Sequence, residues 1–85
     1  MTGSGIVEYD PDEGVAYVRL SEAEISWTKS VDDSRLVDYA ADGAVVGIEF
    51  LDVVDGIDLT GLPMRDRVEP LVRANGIPVR ATTST

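Results

Sequence analysis

Eighty-five residues with 44% hydrophobic content make one small globular domain rather than a disordered chain. Sixteen acidic residues face seven basic ones, a formal charge of −9, and such a field repels phosphate backbones, so no nucleic-acid partner is expected. There is no cysteine or histidine, which removes disulfides, thiolate nucleophiles, Ser-His-Asp triads and typical zinc sites from consideration.

The first stretch, Met1 to Gly5, carries neither a basic region nor an apolar core of the secretory kind and is expected to be flexible. No apolar run approaches the roughly 18 residues that a membrane span needs, so the expectation is a soluble, cytoplasmic protein with no membrane partner. Ile6 to Tyr9 reads as a short strand, followed by a turn at Asp10-Pro11-Asp12-Glu13-Gly14. Val15 to Leu20 is a second strand with apolar residues on both faces. After the polar Ser21 to Glu24, Ile25 to Val31 alternates, placing Ile25, Trp27, Lys29 and Val31 opposite Ser26, Thr28 and Ser30.

Asp32-Asp33-Ser34 is a turn into a strand over Arg35 to Tyr39. Asp42-Gly43 then closes a hairpin into Ala44 to Leu51, the most apolar run of the chain and hence a central strand. Connections this short demand antiparallel neighbours in meander order. Asp52 to Gly61 looks irregular. A helix is expected between about Pro63 and Asn75, stopped by Asn75-Gly76 and Pro78, with Met64, Val68, Leu71 and Val72 on one side. Pro70 should delay or bend it. The expected fold is α+β: an antiparallel meander sheet of four to five strands with one C-terminal helix packed on a face. It occupies residues 6–80 as a single domain, with a flexible tail at 81–85.

Tyr9-Asp10-Pro11-Asp12, Ala16-Tyr17-Val18-Arg19-Leu20-Ser21, Val37-Asp38-Tyr39 and Asp42-Gly43 through Val46-Gly47-Ile48-Glu49-Phe50-Leu51 occur in that order. Together they resemble the small prokaryotic proteins grouped as domain of unknown function 2283, over roughly residues 6–52. The sequence departs at Ala40-Ala41, where acidic residues are usual, and has no counterpart from Leu59 onward. The resemblance implies a compact sheet-plus-helix fold and supplies no catalytic residue. Members are similar to accessory genes beside small toxin-like genes, which points to partner binding.

Carboxylates are the chemistry that remains. Asp10, Asp12 and Glu13 imitate a calcium loop, but Gly14 falls one residue early and no bidentate Glu closes it, so a solvated turn is the stronger reading. Asp52, Asp55 and Asp58 recur every three residues and suit either Mg²⁺ or turn formation. Asp38 and Glu49, on neighbouring strands, either share a pocket or turn to solvent, Arg19 or Arg35. Tyr9, Tyr17 and Tyr39 either supply hydroxyls to a small site or, as aromatics on strands usually do, pack with the hydroxyl reaching a partner at the rim. Trp27 with Lys29 on the same face forms an edge of the core or part of a binding surface.

No catalytic, metal or cofactor residue is assigned. Two functions stay open. One is a non-enzymatic protein-interaction module, acting as a homodimer or as the accessory partner of another small, basic protein. The alternative is a small carboxylate-based enzyme or divalent-metal-binding protein. The interface residues expected for the first are Val15, Tyr17, Trp27, Val45 and Leu51. Val15, Tyr17, Val45 and Leu51 are placed on the face opposite Ala16, Val18, Val46, Ile48 and Phe50, which one helix cannot cover.

Overall fold

A computed structural model describes residues 5–80; of the segments expected to be flexible, 1–5 and 81–85, all but Gly5 lie outside the described residues. Five strands, β1 (Ile6–Asp10), β2 (Val15–Arg19), β3 (Trp27–Asp32), β4 (Arg35–Tyr39) and β5 (Val45–Phe50), precede one helix, α1 (Arg65–Ala74). The architecture is the expected α+β arrangement, an antiparallel sheet with a C-terminal helix on one face.

The sheet order is β1-β2-β5-β4-β3. Meander neighbours hold within β1-β2 and within β3-β4-β5, and the two groups join where β5 pairs with β2. The 20–26 connection therefore travels along one end of the sheet to the far edge. It is tied down as it goes: the Leu20 and Ser21 amides both donate to the Val46 carbonyl, and the Ser26 amide donates to the Tyr39 carbonyl. The Asp42-Gly43 signal closes the β4–β5 hairpin, with the Ala40 amide bonded to Ala44, Gly43 to Ala40, and Ala44 to the Asp42 carboxylate.

The covered face carries Ala16 and Val18 of β2, Val37 of β4, and Ile48 and Phe50 of β5. Val68 and Val72 of α1 are fully buried, and Leu71 packs beside them; the helix lies over β1 and β2. Over the rest of the face lies the segment the sequence left irregular, whose Val53, Ile57, Leu59 and Leu62 belong to the same core. After the helix, Ile57 and Val79 form a parallel bridge, with the Ile57 amide donating to Pro78 and the Arg80 amide to Ile57.

The helix expectation needs two adjustments. Met64 is not on the helix face: it sits at the N-cap in a left-handed conformation, φ 59°, and is exposed. Pro70 lies inside the helix, its ring exposed to solvent, and the amide it lacks is the one that would have bonded the Asp66 carbonyl one turn earlier. The stop is as expected. Gly76 takes φ 73°, its amide donates to Arg73 and that of Ile77 to Val72, and buried Ile77 closes the Schellman end against the core.

Arg35 is the one buried charged residue among those described. Its guanidinium donates twice to Asp32 Oδ2, at 2.9 and 2.7 Å, and from Nη1 to the carbonyls of Asp58 and Thr60. It thereby fastens the core-covering segment to the β3–β4 turn. The Arg35 guanidinium, with the Ser34 amide, holds the Asp32 carboxyl below the usual range; Thr60 bonds do the same for Asp58.

Candidate functional site

Alternation along the strands and the observed pairings leave a second sheet face that no element covers. The register Glu8–Tyr17–Glu49–Leu36–Ser30 runs straight across all five strands, and Ile6–Arg19–Gly47–Asp38–Thr28 runs beside it. Val15, paired with Asp10, extends the face at one end.

A hydrogen-bonded chain crosses its middle. The Tyr17 hydroxyl donates to Asp38 Oδ2 at 2.9 Å, and the Thr28 hydroxyl donates to Asp38 Oδ1 at 2.6 Å. Tyr17 is on β2 and Asp38 on β4, so the phenol ring must pass over β5. The position beneath is Gly47: a β-carbon there would meet the Tyr17 hydroxyl, lie 2.6 Å from its Cζ and 2.8 Å from the Val18 carbonyl. Only glycine permits the bridge. Burial first, then the hydrogen bond and charge of Asp38, push the Tyr17 phenol up to about 12. A phenol held protonated so far above neutrality, with its proton committed to Asp38, is a structural strut across three strands.

Around this strut the face is acidic. Glu8, Asp10, Asp38 and Glu49 stand against the single Arg19. Arg19 is itself turned to the 20–26 connection, its Nε donating to the Ser21 carbonyl at 2.8 Å and its Nη2 to the Ala23 carbonyl at 3.3 Å. A shallow depression of about 310 Å³ opens between Glu8, Asp10, Val15, Tyr17 and Glu49, with Tyr9 and Ala16 at its wall.

The expected interface residues separate. Val15 and Tyr17 lie together on the open face. Val45 does not join them: a bulge between Asp38 and Tyr39 pairs Tyr39 with Val45, and Val45 packs against the core. Leu51 follows the end of β5 and is exposed, its amide bonded to the Ser34 carbonyl. Trp27 sits at the opposite edge of the sheet, stacked on Tyr39 at 4.2 Å between ring centroids and 15° between planes. Lys29 shares the Trp27 side of β3, as expected from the alternation; Val31 falls in a second bulge.

Asp38 and Glu49 share the open face but are not opposite one another: Asp38 pairs with Gly47 and Glu49 with Leu36. Asp38 engages Tyr17 and Thr28 rather than an arginine. Leu36 and Thr28 were missed by the sequence reading; the signal for Thr28 was a β-branched hydroxyl residue facing a strand with a lone carboxylate. Asp10 and Asp58 each spend Oδ1 on backbone amides of their own turns, those of Asp12 and Glu13 and that of Thr60. Among the described residues no three carboxylates converge where a metal ion could sit.

The family described as Protein of unknown function (DUF2283) matches residues 6–53, more than half of the chain, and the chain belongs to that family. The match spans all five strands and stops just after β5, so both the open face and the Tyr17–Gly47–Asp38 bridge lie inside it. No curated protein and no solved structure matches the chain. Among the described residues no helix is long and apolar enough to cross a membrane.

Proposed function

We propose that the protein is a non-enzymatic interaction module, the accessory partner of a basic protein that docks on the open sheet face. One observation carries this reading: four carboxylates surround Val15, Tyr17 and Leu36, while the only arginine of the face is spent on its own loop. Apolar centre and charged margin are the arrangement of a protein–protein interface, and a single sign of charge selects a partner of the other sign. The same charge weighs against self-pairing through this face, because a twofold axis would set carboxylates against carboxylates.

The test is an NMR titration with an extended peptide alternating Lys or Arg with Val, and with its Glu-for-Lys counterpart. The basic peptide should shift the amides of Val15, Tyr17, Leu36 and Glu49 and lose its effect at about 1 M salt, where the Debye length is about 3 Å. Equal shifts from the acidic peptide, or shifts confined to α1, would remove the reading.

A further inference from the structure

The two edges of the sheet are unlike. α1 lies over β1 and β2, whereas no helix lies over β3, all six residues of which are exposed. Trp27 remains 48% exposed despite its stack on Tyr39, and Val31 of the same strand and Ile25, which leads into it, are exposed as well. Three of the eight exposed large apolar residues among those described are thus at this margin. Beside β3 runs a groove of about 470 Å³ whose walls include Val31, Val37, Tyr39, Leu62 and Pro63, with Lys29 also lining it.

Lys29 is the only lysine of an acidic chain, and it forms no ion pair among the described residues. A lysine and a bulge on an edge strand discourage indiscriminate pairing. Here they also define one permitted pairing. The bulge between Ser30 and Asp32 shifts the alternation, so Lys29, opposite Val37, and Asp32, opposite Arg35, come to share a face. A strand with a cation near its middle and a carboxylate at one end of the same face is complementary to itself when reversed.

We propose that the protein dimerises edge to edge through β3, antiparallel about a twofold axis centred between Ser30 and Val31, so that each Lys29 lies opposite Asp32 of the second copy. The twofold axis makes that ion pair twice. A register centred on Lys29 instead opposes lysine to lysine and is disfavoured. Asp32 Oδ1 receives only the Ser34 amide at 3.0 Å and a long 3.4 Å contact from the Ser34 hydroxyl, which leaves it a lone pair for an ammonium. Pairing gives the outward backbone groups of β3 on either side of the bulge a partner and sets each Trp27 opposite the turn at Ser34 of the second copy, while the net charge on each copy is screened beyond about 8 Å at physiological salt. The open face remains free in this dimer, so the proposal stands apart from the docking of a basic partner.

Trp27 is the only tryptophan, which makes its emission a report on this edge alone. Sedimentation velocity and fluorescence are followed together from nanomolar to high micromolar protein. The expected result is a monomer–dimer transition with a shift of emission to shorter wavelength over the same range. Lys29→Glu should weaken association about tenfold or more, with Lys29→Arg retaining it and both variants keeping the native circular dichroism. A monomer throughout, or a dimer that leaves Trp27 emission unmoved and survives Lys29→Glu, overturns the proposal.

Discussion

The two faces of the sheet are organised by different forces. On the covered face, Val18, Ile48, Val68 and Val72 are entirely removed from water and the order is that of close packing. On the open face, the central contact is polar and directional: a phenol laid over a glycine to reach a carboxylate two strands away. Packing tolerates many side chains of suitable volume, whereas the bridge needs Tyr17, Gly47 and Asp38 together. Substitutions should therefore cost more on the covered face, and be more specific in their pattern on the open one.

Phe50→Ala carries the largest expected loss, about 3–5 kcal/mol in urea unfolding, because Phe50 is among the largest fully buried side chains and belongs to a core that draws on the sheet, the 53–62 segment and the helix. A loss under about 1 kcal/mol would mean the covered face is not the main source of stability. Gly47→Ala should cost about 1–3 kcal/mol by displacing the Tyr17 ring. Combined with Tyr17→Ala it should cost less than the sum of the two, since the clash with the ring is then gone and only that with the Val18 carbonyl remains; strict additivity would show that the bridge is not formed in solution.

Tyr17→Phe should cost about 1 kcal/mol at neutral pH, the net worth of one hydrogen bond. Its pH signature is more telling. A phenol raised from about 10 to about 12 by folding contributes stability that is complete below pH 10 and lost as pH rises towards 12. Phenolate absorbance of the folded protein should retain a component near pH 12 that Tyr17→Phe abolishes. The carboxyls give the opposite sign: Asp32 and Asp58 are depressed by folding, so their contribution is present above the ordinary carboxylate range and lost as pH falls through it. The smallest effect expected is none: millimolar calcium or magnesium should leave the melting temperature where matched monovalent salt leaves it. A saturable rise would assign the acids of the open face or of residues 52–58 to a cation.

Much of the covered face was legible because its signals are local. Alternation marked the strands, Asp42-Gly43 the central hairpin, and Asn75-Gly76 the helix stop, each readable from a few adjacent residues. The central place of β5 was legible from its apolar run, but its pairing with β2 was not, since nothing near Val45–Phe50 says which strand beyond its own hairpin it will join. Val45 was assigned to the wrong face for a related reason: a bulge resets the alternation from that point, and its signal lies in the pairing with Tyr39 rather than in the run itself. Val53, Ile57 and Leu59 were passed over because their period fits neither helix nor strand, although each is apolar in a stretch punctuated by Asp52, Asp55 and Asp58. On the open face Asp38 and Glu49 were correctly placed on neighbouring strands, but their partners were not, because the Tyr17–Asp38 bond spans a strand that only the register could put beneath it.

The insertion of β5 also sets an order of events for the nascent chain. The β1–β2 and β3–β4 hairpins can close as soon as residue 39 has emerged, yet β2 and β4 each keep an unpaired side until residues 45–50 arrive to fill the space between them. A chain halted before Val45 would hold two narrow ribbons with sticky inner margins, each of a kind only marginally stable alone in water. β5 is thus the keystone of synthesis as well as the middle of the sheet, because a nascent chain that has emerged only as far as residues 40–44 presents the unpaired sides of β2 and β4 at once.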